Sequence, residues 1–226
     1  EDVLRAGAGH CYEPAVRLLA EAGPGAVRRV LIERLAVPFD HTGNGDLSLT
    51  LEGGHCLPRI IHAAAATGQA IEIALLNALR QHPNITLLTG YSAVDLLTPS
   101  HHSRNRLRVY EARSCVGAYL LDQTNGRVLR CLAKKTVLAT GGLGQIFLRT
   151  TNPAGARGDG LAMAYRTVVR VINAEFVQLH PTAFYQQAAA RFLVTEAVRG
   201  AGARLVDGNG TPFMDKYDPV WKDLAP

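Results

Sequence analysis

Apolar positions change their period several times along the 226-residue chain, and each change predicts an element. Val16, Leu18 and Leu19 follow Pro14, a residue suited to a first helical turn, and Gly23-Pro24-Gly25 reads as the stop of that helix. Val27, Val30, Leu31 and Leu35 recur near helical spacing and predict a second helix ended by Pro38. The polar tract 41–46 reads as a surface loop leading to 47–51 and then to Glu52-Gly53-Gly54-His55. A long helix is expected over 58–81, carrying Ile60, Ile61, Ala64, Ile71, Leu75 and Leu79, with His82-Pro83-Asn84 as its stop.

Shorter apolar runs then replace the helical period. Segments 85–88 and 93–97 read as strands, and 100–106 as a polar loop. Segments 116–121 and 128–132 flank a turn whose Asn125-Gly126 pair tolerates positive φ, a strong hairpin signal. The run 136–140 has the composition of a buried strand. A helix over 160–169 capped by Asp159, a strand over 171–174, and a hairpin around Asp207-Gly208-Asn209-Gly210 complete the pattern. Helices interleaved with apolar strands and one antiparallel hairpin insert imply an α/β architecture with α+β elements.

Composition narrows the functional classes. With 47% hydrophobic and 19% charged residues the chain is expected to be globular. No apolar run approaches the roughly 20 residues that span a bilayer, so no membrane segment is predicted. The 24 Lys and Arg residues are scattered, so the net charge of +5 points to no nucleic-acid partner, although it would favour a dicarboxylate. Cys11, Cys56, Cys115 and Cys131 form no C-x-x-C pair, and reduced cysteines in a cytoplasmic protein are the expectation.

Several motifs have chemical potential. Gly141, Gly142 and Gly144 follow the apolar run 136–140, where glycine lets backbone approach a phosphorylated or planar ligand; a tight turn explains them equally well. They are not a G-x-G-x-x-G fingerprint. Gly158-Asp159-Gly160 resembles a loop entering a helix, with Asp159 as cap or ligand contact. Glu52 and His55 place a carboxylate and an imidazole on a glycine-bearing loop. His180, Thr195, Glu196 and Arg199 offer neutral donors, a carboxylate and fixed positive charge, the set a substrate with two carboxylates and an ammonium requires. His180 can also be structural, and Thr195 can be a helix cap.

Taken in order, Glu52-Gly-Gly-His55, Thr67-Gly68, Ala139-Thr-Gly-Gly142, Thr150-Thr-Asn-Pro153, Gly158-Asp-Gly160, Gln178-Leu-His-Pro-Thr182 and Thr195-Glu-Ala-Val-Arg-Gly200 resemble the flavoprotein family of succinate dehydrogenase, fumarate reductase and L-aspartate oxidase. Within it, Glu52 before Gly-Gly-His is similar to the carboxylate that meets the substrate ammonium in the aspartate oxidases. The resemblance implies a partial Rossmann-like, FAD-binding domain over 1–173 with a hairpin insert, and the start of an α+β capping domain over 174–226. It implies that His180 and Thr195 bind a substrate carboxylate, that Glu196 lines the pocket, and that Glu52 orients the amino group. Non-covalent FAD would be contacted by Ser92, Ala93, Gly141, Gly142 and Asp159.

The implied reaction is oxidation of L-aspartate to iminoaspartate in NAD biosynthesis, the quinolinate pathway, with hydride passing to FAD and reoxidation by O2 or fumarate. Quinolinate synthase is the implied protein partner. The alternative is the succinate dehydrogenase or fumarate reductase branch. Departures are also legible: the family's dinucleotide fingerprint and catalytic arginine do not occur within 1–226, Leu57-Pro58 replace polar residues, and Ala65 stands where an Asp is common. A catalytically inactive piece is therefore a further expectation.

Overall fold

The structure is a computed structural model that describes residues 1–52, 55–64, 66–178, 180, 182–186 and 192–225. Gly53, Gly54, Ala65, Leu179, Pro181 and Pro226, named above, lie outside the described residues. In chain order the main elements are α1 (Asp2–Ala6), α2 (Glu13–Val27) running on as a π-helix (Arg28–Arg34), β1 (Leu49–Thr50), β2 (Ile60–Ile61), α3 (Thr67–Gln81), β3 (Tyr91–Leu97), α4 (Pro99–His102), β4 (Gly117–Asp122), β5 (Val128–Leu132), α5 (Asp159–Arg166), α6 (Ala197–Gly200) and α7 (Met214–Tyr217). This mixed helix and strand content agrees with the expected α/β class, with its sheets small and antiparallel.

Two compact units emerge, one of residues 1–87 and 193–226, the other of 88–192. The core of the first is Val37, Phe39 and Ala63, against which Leu31, Ile32, Leu35, Ile61 and Ile71 pack. Burying such side chains contributes ~1.5–3 kcal/mol each. In the second, β3, β4 and β5 form one antiparallel sheet in that order. Its buried residues include Leu96, Leu97, Ala156, Met163 and Ala164.

Several expectations are corrected. The first helix does not stop at Gly23-Pro24-Gly25 but carries Pro24 inside α2. Proline φ is compatible with a helix, and on a helix with no buried residue water can satisfy the carbonyl that loses its donor. The helix expected over 58–81 begins only at Thr67. Upstream, Ile60 and Ile61 pair with Thr50 and Leu49 as strand residues, Ala64 takes φ +44, and the Ala63 amide donates to the Thr67 hydroxyl at 3.1 Å.

The run 136–140 is not a strand: Val137 is 84% exposed, and no strand pairs with it among the described residues. An apolar run makes a buried strand only when neighbours supply its ladder. For the same reason 85–88 and 171–174 are irregular. By contrast, the Asn125-Gly126 hairpin forms as expected: β4 pairs β5 from Gly117 with Leu132 to Leu121 with Val128, with Gly126 at φ +72.

Candidate functional site

Chemistry-bearing residues of the first unit gather around the loop between β1 and β2. Glu52 leaves β1 half-buried, and its carbonyl accepts from the His55 amide at 3.2 Å. The carbonyl of Leu51 lies against α6, so close that a Cβ on Gly200 would fall 2.1 Å from it. Only glycine permits this approach. It brings the carbonyl next to Glu52 against Gly200, the last residue of α6. The Thr195 hydroxyl accepts from the Ala197 amide at 3.3 Å, so Thr195 does tether the start of α6, while Glu196 stands at the helix boundary.

Arg199 received less weight in the sequence than its environment gives it. It is 5% exposed, and its Nη1 donates to the carbonyls of Asp223 at 2.8 Å and Ala225 at 3.2 Å. Its Nη2 lies 3.5 Å from the Glu196 carboxylate, and neither Nε nor Nη2 has a hydrogen-bond partner among the described residues. A buried guanidinium with unspent donors suits a carboxylate, because guanidinium stays charged and presents paired N–H groups. Arg204 bonds Asp215 at 2.7 Å and Asp223 at 3.3 Å, and those carboxylates, Asp215 first, raise its pKa. This fixes Asp223, one of the carbonyls that seat Arg199.

The other end of the Glu52 loop is tied down by Asp2, which the sequence reading missed. Its carboxylate accepts from the Cys56 amide at 3.1 Å, the Cys56 thiol at 3.2 Å and Arg59 at 2.6 Å. The Cys56 backbone bond, followed by its thiol and Arg59, holds the Asp2 carboxyl well below the usual carboxylate range. Nothing in the sequence marks this tether, since Asp2 and Cys56 are 54 positions apart. His55 Nδ1 is buried without a hydrogen-bond partner among the described residues.

The second unit holds the expected cofactor contacts. Gly141 has φ +73, and the Gly142 carbonyl accepts from the Gly158 amide at 3.1 Å, joining the glycine turn to the start of α5. A Cβ on Gly160 would lie 2.0 Å from the Thr140 hydroxyl, so glycine sets the distance between α5 and the turn. Asp159 is not the cap: Gly158 holds that position, and Asp159 is the first helical residue, bonded to Arg157 at 2.8 Å. There it complements the positive end of the helix dipole.

Ser92 and Ala93 lie on β3 beside a register shift between Ala93 and Asp95, and the Ser92 hydroxyl accepts from Gln123 at 2.5 Å. β3 meets the far end of α5, where Arg166 donates to Asp95 at 3.1 Å and to the Val94 carbonyl at 3.0 Å. Gly141, Gly142 and Asp159 are thus adjacent, while Val94 and Asp95, which follow Ser92 and Ala93, meet the opposite end of the same helix. His180 belongs to this unit; its Nδ1 is 2.8 Å from the Thr182 carbonyl and 3.1 Å from the Thr182 amide. The Thr182 hydroxyl is buried with no hydrogen-bond partner among the described residues.

Gly141 and Gly142 leave open space in which a ligand could approach the backbone: a Cβ on Gly141 would meet nothing within 4 Å, and one on Gly142 would meet only Asn152 Oδ1 at 3.8 Å. Among the described residues no helix is long and apolar enough to cross a membrane, and no cluster could hold a metal ion.

Comparison with known proteins shows the family of the chain. The chain is 46% identical over 228 residues to L-aspartate oxidase 1 of Ralstonia nicotianae and 46% identical over 233 residues to L-aspartate oxidase of Pseudomonas aeruginosa, each time along its entire length. It spans 41% and 42% of the length of those relatives. Among solved structures, E. coli quinol fumarate reductase FrdA superposes with a TM-score of 0.78 at 25% identity, covering 95% of this chain and 34% of that one. The Mycobacterium smegmatis Sdh1 complex with UQ1 gives 0.69 at 28% identity, covering 100% and 37%. All of residues 1–226 match the FAD binding domain family, and the chain belongs to that family, a flavoprotein with FAD as its cofactor.

Proposed function

We propose that this chain carries part of the flavin and substrate sites of an L-aspartate oxidase, converting L-aspartate to iminoaspartate. The observation that supports this most is the buried Arg199, whose Nη2 lies 3.5 Å from the Glu196 carboxylate, on the helix whose Gly200 meets the Leu51 carbonyl next to Glu52. Carboxylate and guanidinium side chains carried on these two segments match a substrate that has an ammonium beside carboxylates. In this reading Glu52 receives the ammonium, Thr195 binds a carboxylate and Glu196 lines the pocket, while for His180 a carboxylate-binding role rests on the family resemblance alone. Arg199 adds positive charge where the substrate's carboxylates would gather.

Gly141, Gly142 and Asp159 hold the cofactor, with Ser92 and Ala93 contributing from β3; glycine gives backbone access and the Asp159 carboxylate accepts a hydroxyl hydrogen. Held there, FAD would supply the redox chemistry, a two-electron oxidation of the substrate at its α-carbon with oxygen or fumarate as the final acceptor. The protein's share is orientation, charge and exclusion of water. Residues 1–173 are assigned to the FAD-binding domain and 174–226 to the start of a capping domain. A cytoplasmic location, a place in NAD biosynthesis and an association with quinolinate synthase follow from the same reading.

The second reading, a succinate dehydrogenase or fumarate reductase flavoprotein, draws on the likeness to FrdA and Sdh1. Anaerobic flavin bleaching separates the two. The flavin-loaded protein is expected to bleach with L-aspartate and not with succinate; bleaching by succinate alone overturns the proposal.

A further inference from the structure

Outside these clusters, three side chains of the first unit form a chain of hydrogen bonds. His62 Nδ1 lies 2.9 Å from Asp40 Oδ2, and His62 Nε2 lies 3.2 Å from the Ser48 hydroxyl. The carboxylate only accepts, so Nδ1 carries the proton and Nε2 is left to accept from Ser48. Backbone bonds set the spacing. The Asp40 amide donates to the His62 carbonyl at 2.8 Å and the Ser48 amide to the Asp40 carbonyl at 2.9 Å, which puts the three residues on adjoining segments. Asp40 Oδ2 also accepts from the Ala64 amide at 2.8 Å, so the carboxylate that orients the imidazole is itself fixed. Solvent reaches the group: the His62 side chain is 27% exposed and that of Asp40 42%, and Ser48 is half-buried.

We propose that Ser48 is a nucleophilic hydroxyl, activated by His62 as general base with Asp40 orienting the imidazole, and that it takes an acyl group from activated esters. The relation of roles is that of hydroxyl, base and orienter in acyl transfer. Ser48 Oγ forms a bond to the acyl carbon while the ester C–O bond breaks. The hydroxyl proton passes to His62 Nε2 and from there to solvent, and the alcohol part of the ester leaves as its anion. The Ser48 amide, committed to the Asp40 carbonyl, is not available to stabilise a tetrahedral oxyanion. Both half-reactions lack that help, but an activated ester expels a stabilised anion whereas the acyl-Ser48 ester must expel a serine alkoxide, so acylation is expected to outrun hydrolysis, making Ser48 a site of stoichiometric modification and not of rapid turnover.

The experiment treats the purified chain with 4-nitrophenyl acetate, follows nitrophenolate release and locates acetyl groups by peptide mass spectrometry. The expected result is a burst approaching one equivalent, with acetyl on Ser48 formed at least ~100-fold faster than on exposed Ser103, the scale of general-base assistance. His62→Asn should remove most of that advantage and Asp40→Asn part of it. Acetylation confined to lysines and the N-terminus, or Ser48 modified no faster than Ser103, overturns the proposal from the unaltered protein alone. Equal rates in folded His62→Asn overturn it as well.

Discussion

Gly200 shows how one residue can set a site. Its missing side chain lets the Leu51 carbonyl reach α6, and Glu52 is the next residue. Gly200→Ala would force backbone against backbone and should destabilise the protein by ~1–3 kcal/mol, as overpacking does. Gly68, in α3 with nothing within 4 Å of an added Cβ, is the contrast: Gly68→Ala should stabilise by ~0.5–1 kcal/mol through helix propensity. Thermal unfolding of the two variants checks both signs, and two losses of equal size would refute the packing argument.

At the scale of elements, Asp2 joins α1 to the loop between β1 and β2. Because its folded pKa lies below the ordinary carboxylate value, its contribution is complete above the unfolded pKa, roughly 3.9, and is lost as pH falls further. Asp2→Asn should lower the melting temperature at pH 7, and the gap from the parent protein should narrow as pH is taken from about 4 toward 2. A gap that stays constant over that range would mean that the ionised carboxylate is not what holds the loop.

This tether also shows where sequence reading ends. Local signals carried through: the Asn125-Gly126 turn formed with Gly126 supplying its positive φ, and His82 ended α3 as its pattern implied. Segments whose state depends on distant neighbours did not. Ile60 and Ile61 fit a helical period until β1 offers them a ladder, and 136–140 reads as a strand although none lies beside it. The site follows the same division. Ordered motifs marked Glu52, Thr195, Glu196, Gly141 and Asp159, but Asp2, the burial of Arg199, and the chain from Asp40 to Ser48 exist only once remote segments meet.

For the molecule as a whole, the FAD binding domain family accounts for the flavin, and in the proposed function Glu52 carries the choice of substrate. An ammonium paired with a carboxylate is worth ~1.5–3 kcal/mol, a factor of roughly 10–100. The most direct measurement compares flavin-loaded protein and its Glu52→Gln variant in L-aspartate oxidation and in flavin reoxidation by fumarate, which has no ammonium. The account predicts that kcat/KM for L-aspartate falls at least tenfold while that for fumarate changes less than about threefold; equal losses for the two, or no loss for L-aspartate, would contradict it.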